Sequence, residues 1–158
     1  MKVEVLFVCM GNICRSPAAQ AVFERRIAEA GLDDRITVDS AGTHAYHVGE
    51  PPDARMQAVG KRRGLDFSSQ RARRISEEDF NRFHYILVMD RANLETLSQY
   101  ESLGGTRPEL LMRYAPAASM DEVPDPYYGG ETGFERVLDL VEEAADGLLN
   151  EIRQRHSL

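Results

Sequence analysis

Apolar positions along the chain fall into two kinds of run. Val5-Leu6-Phe7-Val8 and Tyr85-Ile86-Leu87-Val88-Met89 are short and continuous, without the polar alternation of a half-wet strand. Such runs fit strands buried on both faces, as in a parallel sheet covered by helices. Ile36-Thr37-Val38, running on into Asp39-Ser40-Ala41-Gly42, and Leu110-Leu111-Met112 read as two further short strands. Elsewhere the spacing is helical. Ala19, Phe23, Ile27 and Ala30 recur at helical intervals after Pro17, and Gly31 follows as a stop. Pro51-Pro52-Asp53 opens a shorter segment through Met56 and Val59 that closes at Gly64. Ser76-Glu77-Glu78-Asp79 reads as a helix start, and Asp90 as the cap of a helix carrying Leu94, Leu97 and Tyr100 up to Gly104-Gly105. Near the C-terminus, Phe134, Val137, Leu138, Val141, Ala145, Leu148, Leu149 and Ile152 trace one stripe, with Thr132-Gly133-Phe134-Glu135 as a capping box before it.

Strands alternating with helices predict an α/β fold: a single three-layer domain over residues 1–158, with a four-stranded parallel sheet and helices on both faces. The stretch Thr43–Glu50 reads as a loop leaving the carboxyl end of the second strand, residues 66–74 as polar and irregular, and Ala115–Gly130 as a long loop. With 158 residues the chain has enough for one proper core, and no run approaches the ~20 apolar residues of a membrane span. The N-terminus enters the first strand without a signal-peptide pattern, so membrane insertion is not expected and the expected compartment is the cytoplasm. A net charge of -7 argues against general nucleic-acid binding, which depends on an excess of Lys and Arg. The basic clusters Lys61-Arg62-Arg63 and Arg71-Ala72-Arg73-Arg74 read as solvated surface.

The chemistry is concentrated between Cys9 and Pro17. Cys9 ends a strand, Gly11 and Asn12 suit a tight turn, and Ser16-Pro17 offers an N-cap followed by proline at the first helical position. A loop of this kind curls into a nest of backbone N–H groups that the helix start reinforces, making an anion site of Met10, Gly11, Asn12, Ile13, Cys14, Arg15 and Ser16. A thiolate at its floor is itself an anion the nest favours, and Arg15 offers a planar fork to two oxyanion oxygens. Attack on a phosphate monoester also needs an acid for the leaving group. Asp125 fits, held between Pro124 and Pro126, and as carboxylate it would then activate water. A lone cysteine at a strand end is ordinarily a small buried hydrophobe, and Asp-Pro an ordinary turn. For Cys9 the conjunction with Arg15 and Ser16-Pro17 argues for catalysis; for the acid, Asp121 and Glu122 are nearby carboxylates, and local pattern leaves the choice among them and Asp125 open. Cys9 and Cys14 are the two cysteines, which gives no disulfide framework but sets two thiols within one loop.

The string Val-Cys-x-Gly-Asn-x-Cys-Arg-Ser-Pro from Val8 to Pro17, together with Asp39-Ser40-Ala41-Gly42 and Asp125-Pro126-Tyr127-Tyr128-Gly129, resembles the low-molecular-weight protein tyrosine phosphatases over nearly the entire chain. The resemblance implies strand order 2-1-3-4 and hydrolysis of phosphotyrosine through a phosphocysteine on Cys9, with Arg15 and the loop amides on the phosphate and Asp125 as general acid and base. It makes Asn12 and Ser40 the pair that props the loop, and Ser16 a donor to the Cys9 thiolate. Tyr46, Tyr127 and Tyr128 become the substrate rim beside Met10 and Ile13. Cys14 becomes a thiol that resolves oxidised Cys9. No cofactor and no metal are implied; His44 and His47 lack companions at ligand spacing. The partners implied are a tyrosine-phosphorylated protein and a tyrosine kinase, with no oligomeric state indicated. Gln70 departs from the pattern, since some members carry a histidine there that supports Asn12 and Ser40. Three related readings compete. A thiol-dependent arsenate reductase needs cysteines beyond Cys14, a protein-arginine phosphatase places a threonine where Ile13 stands, and a broad organic acid phosphatase fits the same loop. A catalytically dead phosphopeptide-binding module would tolerate loss of Cys9 or Asp125, and both are present.

Overall fold

The computed structural model describes residues 2–127 and 130–158. Strand β1 (Val3–Cys9) lies inside the sheet, between β2 (Ile36–Gly42) and β3 (Tyr85–Val88), and β4 (Glu109–Leu110) pairs on the far side of β3. Every pairing is parallel and the order is 2-1-3-4, the α/β architecture expected. The register sets Val3 opposite Ile36 and Cys9 opposite Gly42, so β1 is longer at both ends than its apolar run.

Both faces of β1 are covered, which is why it reads as a continuous apolar run. Val3, Val5, Phe7 and Cys9 pack into the larger core with α1 (Arg15–Glu29) and α5 (Glu131–Arg155), where the Phe7 and Phe23 rings meet edge to face at 5.8 Å. Leu6 and Val8 face the smaller core with Phe80 of α3 (Asp79–Arg82) and Leu97 of α4 (Arg91–Leu97). Each such buried side chain contributes about 1.5–3 kcal/mol. The stiff central strand therefore holds Cys9 at its carboxyl end, on the α1 side. The chain leaves β1 in one direction toward β2 and later returns on the other side as β3. In open parallel sheets the crevice at that reversal, outside the carboxyl ends of the strands, is where ligands bind.

Local details correct the sequence reading at three helix or strand ends. α1 begins at Arg15 with Cys14 before it and no side-chain cap, so Ser16 lies inside the first turn and its hydroxyl turns back to Cys9. The fourth strand is shorter than Leu110–Met112, because Leu111–Tyr114 coils into a 3-10 turn packed on α5. α5 begins at Glu131 after Gly130, so Thr132 does not cap it. Glu135 instead pairs with Arg62 and Arg63 of the segment that includes α2 (Ala54–Arg62). Asp90 does cap α4, in a reciprocal box with Asn93, and Gly31 closes the turn after α1 at φ +70°. In the basic clusters Lys61, Arg62, Arg71 and Arg74 are exposed, as read, whereas Arg63 and Arg73 are half-buried in ion pairs. Arg63 ties α5 through Glu135, Asp139 and Glu142, while Arg73 bridges Asp39 and Asp79. Among the described residues no helix is long and apolar enough to cross a membrane.

Candidate active site

The loop that follows β1 is held open from outside. The carbonyls of Cys9, Met10 and Ile13 accept the N–H groups of Thr43, His44 and Asp53, at 2.9, 3.1 and 2.8 Å. Three of its carbonyls are thus occupied, while among the described residues the N–H groups of Gly11, Asn12, Ile13 and Cys14 have no protein acceptor and are available to an anion. Asn12 makes this turn possible by adopting φ +59°, a left-handed conformation that Asn tolerates better than most residues. Its buried amide is fully used. Nδ2 donates to Ser16 Oγ at 2.8 Å and to Ser40 Oγ at 3.0 Å, while Oδ1 accepts the Arg73 N–H at 3.0 Å. Ser40 Oγ in turn donates to Gln20 Oε1 at 2.7 Å. Ser16 Oγ accepts from Asn12, lies 3.0 Å from Cys9 Sγ and can also donate to the Ala41 carbonyl at 3.5 Å; once Cys9 is ionised, the hydroxyl can only donate to the sulfur, and the Ser16 N–H donates to it as well at 3.4 Å. Both donors suit a thiolate.

Arg15 is 3 % exposed, and its guanidinium is fixed by groups from two other parts of the chain. Nη1 donates to Asp90 Oδ2 at 2.6 Å and to the Val123 carbonyl at 3.0 Å, and Nη2 lies 3.8 Å from Asp125 Oδ2. Burial works against its charge, but Cys9, Asp90 and Asp125 together outweigh burial and hold the guanidinium protonated beyond its ordinary range. Val123 is fully buried and donates its N–H to Met89 at 2.8 Å, which pins the approach to Asp125 against the end of β3. Asp125 itself is partly exposed and accepts the Tyr127 N–H at 3.0 Å. Cys14 is buried under the loop; burial, then the negative charges of Asp53 and Cys9, push its thiol up from the ordinary value.

Cys9, Cys14, Arg15 and Asp125 line one cavity of about 240 Å³, with Met10, Ile13, Tyr46 and Tyr127 among its walls. His47 lies against Gly11 and pairs with Glu50 at 3.1 Å, and the Tyr46 ring stacks on His44 at 5.0 Å. The structure thus brings together all of the predicted site residues that it describes; Tyr128 lies outside the described residues. Among those described, no group of three or more His, Cys, Asp or Glu could hold a metal. A larger hollow of about 350 Å³ between Phe80, Leu97, Tyr100 and Pro108 is lined by no cysteine, so volume alone does not mark the site.

Several neighbours escaped the sequence reading. Asp90 was legible as a cap, yet its other oxygen binds Arg15. Its place directly after a strand, at the carboxyl edge of the sheet, was the available signal. Gln20 stands four residues after Ser16 on the same helix face and supports Ser40. Gln70, where the family pattern led to Asn12 and Ser40, instead donates to the Pro17 carbonyl at 3.1 Å, so Gln20 and Arg73 complete that network. Arg73 came from a cluster without apparent chemistry.

Comparison with known proteins agrees with this geometry. The profile of the family described as low molecular weight phosphotyrosine protein phosphatase matches residues 4–158. The low molecular weight phosphotyrosine protein phosphatase of Homo sapiens is 45% identical over 136 residues, 84% of this chain and 85% of its own. The low molecular weight protein-tyrosine-phosphatase YfkJ of Bacillus subtilis is 39% identical over 157 residues, 99% of each chain. Its crystal structure superposes with a TM-score of 0.92 at 38% identity, over 98% of this chain and 97% of that one. A crystal structure titled as a drosophila arginine phosphatase superposes with a TM-score of 0.89 at 34% identity, covering 97% and 98%.

Proposed function

Because the chain belongs to the low-molecular-weight phosphotyrosine protein phosphatase family, we propose that it hydrolyses phosphotyrosine through a phosphocysteine on Cys9, with residues 1–158 acting as one domain. The observation that carries this reading is the Cys9 sulfur in contact with the Ser16 hydroxyl and N–H, beside a buried Arg15 and a loop whose amides, among the described residues, have no protein acceptor. In the first half of the reaction the Cys9 thiolate attacks phosphorus as the bond to the phenolic oxygen breaks. Asp125 protonates the departing oxygen. The loop amides and Arg15 hold the phosphoryl oxygens, whose charge the preorganised donors stabilise. In the second half Asp125, now carboxylate, takes a proton from water as the oxygen attacks phosphorus. The phosphorus–sulfur bond breaks, and the Ser16 hydroxyl stabilises the departing thiolate. Asn12 and Ser40 keep the loop in shape, and the aromatic walls Tyr46 and Tyr127 favour a flat, long phosphotyrosine over phosphoserine. Cys14 is proposed as the thiol that rescues oxidised Cys9. The setting proposed is the cytoplasm, whose reducing thiols keep both cysteines free, with a tyrosine-phosphorylated protein as substrate and a tyrosine kinase as its source.

Hydrolysis of phosphoarginine is the second reading, with the likeness to the drosophila arginine phosphatase in its favour. Ile13, at the pocket wall, offers no hydroxyl to a guanidino group. Matched phosphotyrosine, phosphoserine and phosphoarginine peptides, incubated with chelator, separate the readings. The expected result is tyrosine-selective phosphate release that vanishes in Cys9→Ser and falls about 100- to 10,000-fold in Asp125→Ala on poor leaving groups. Release from phosphoarginine alone would reverse the assignment of substrate. Binding of phosphate without release from any peptide would leave a binding module.

A further inference from the structure

The nucleophile loop and the acid loop lie more than a hundred residues apart in the chain, yet the reaction needs their separation held closely. The N-terminal end of α2 spans the gap. Asp53 donates its N–H to the Ile13 carbonyl at 2.8 Å and caps α2 by accepting the Arg55 N–H at 2.8 Å. Its carboxylate also grips the Arg55 side chain with both oxygens, Nε to Oδ1 at 3.1 Å and Nη2 to Oδ2 at 2.9 Å. That fork aims Nη1 at the Tyr127 carbonyl, 3.0 Å away, and Tyr127 in turn donates its N–H to Asp125 Oδ1 at 3.0 Å. The guanidinium lies 5.2 Å from the centre of the Tyr127 ring and 4.9 Å from that of Phe134, in the first turn of α5. A continuous path thus runs from Ile13 through Asp53, Arg55 and Tyr127 to Asp125.

We infer that Arg55 is a positioning residue that sets the Asp125 carboxyl against the phosphate loop. The inference rests on the proposed role of Asp125 as general acid. Arg55 is about half exposed, and ion pairs at such positions add little to global stability. What the clamp supplies is location. Losing it removes the bond that Arg55 makes to the Tyr127 carbonyl, and a misplacement of about 1 Å at a reacting group costs up to about 100-fold in rate. Lysine replaces it only in part, because a single ammonium cannot hold both Asp53 oxygens and the Tyr127 carbonyl in one plane. The Asp53 carboxyl is held below its usual range, first by the Arg55 side chain, so the pair stays charged at neutral pH.

The test is kcat/KM over aryl phosphates of graded leaving-group acidity, for the full chain and for Arg55→Met, Arg55→Lys, Asp125→Asn and the Arg55→Met/Asp125→Asn double variant. A strongly acidic phenol departs without a proton, whereas a weakly acidic one needs the acid. Arg55→Met is expected to lose about 10-fold on the poorest leaving group and nearly nothing on the best, with an unchanged thermal midpoint and no further loss in the Asp125→Asn background. Arg55→Lys, which retains the cation over the two rings, is expected to show the same dependence more weakly and serves if the methionine variant folds poorly. A uniform loss across the series, no loss at all, or an equal loss in the Asp125→Asn background would overturn the inference. If Asp125→Asn shows no dependence on the leaving group, the acid assignment itself falls. If it does and Arg55→Met does not, only the role of Arg55 falls.

Discussion

Asp90 divides two tasks between its two oxygens. Oδ1 accepts the Asn93 N–H at 2.8 Å and caps α4, while Oδ2 accepts Arg15 at 2.6 Å. Substitution separates them. Asparagine is as good a cap as aspartate, but it turns a charge-assisted bond into a neutral one. Asp90→Asn is expected to lower kcat/KM about 10-fold at nearly unchanged stability, whereas Asp90→Ala adds a loss of about 1 kcal/mol in urea denaturation. Cys14 poses the other residue-scale question. Its burial, with Asp53 and Cys9 nearby, keeps it a thiol at neutral pH, so its proposed attack on oxidised Cys9 is expected to be slow there. On the proposed route peroxide takes Cys9 to the sulfenic acid, and attack by the Cys14 thiolate then forms the disulfide and releases hydroxide, which takes a proton from solvent. Below its raised pKa the thiolate fraction grows with pH, so closure is expected to accelerate about tenfold per pH unit, with no plateau through the mildly alkaline range. Mass spectrometry of quenched samples follows it, and Cys14→Ser is expected to lose thiol-reversible recovery. Equal recovery in that variant would remove Cys14 from the role.

At the scale of elements, the C-terminal helix shows how far pattern goes. Its apolar stripe was legible because a helix repeats its buried face every three to four residues, and Phe134, Val137, Leu138, Val141, Ala145, Leu148 and Ile152 are all buried. The reason for Gly147 within it was not legible. By propensity alone, Gly147→Ala in mid-helix should stabilise by about 1 kcal/mol. In the fold, a Cβ there would run into the backbone carbonyl of Tyr114 in the 3-10 turn that follows β4. The glycine lets that turn lie directly on the helix, and backbone yields less readily than a side chain. Gly147→Ala is therefore expected to destabilise by about 1–3 kcal/mol in thermal or urea unfolding, the reverse of its propensity. The start of α1 carries a similar lesson. Ser16 has the sequence of a cap, but its hydroxyl serves Cys9, and the unpartnered amides before it are left for an anion.

At the scale of the molecule, strand order decides what meets at the carboxyl edge. Cys9 ends β1, Asp90 follows the β3 segment, Val123 bonds to Met89, and the loop beyond Val123 carries Asp125 to the same cavity. An anion bound there touches groups drawn from most of the chain length, so it should stabilise the whole fold by linkage. Inorganic phosphate at a hundred times its dissociation constant is expected to add about 2.7 kcal/mol, raising the thermal midpoint by about 5–10 °C. Arg15→Met should abolish most of that rise at the same phosphate concentration. An undiminished rise would place the stabilising anion elsewhere.

The sequence by itself determined the kinds of element, the buried character of the central strand, and the loop from Cys9 to Ser16. Each of these is local: periodicity records how many faces of a segment are covered, and a tight turn needs particular residues at particular places. The partners of the loop were decided by tertiary structure. Arg15 meets Asp90 and Val123, Asn12 meets Ser40 and Arg73, and Arg55 meets Tyr127, across separations of 28 to 108 residues. Such contacts depend on which helix covers which face and which strand lies beside which. That arrangement is set by the packing of whole layers, and no local pattern of apolar and polar residues encodes it.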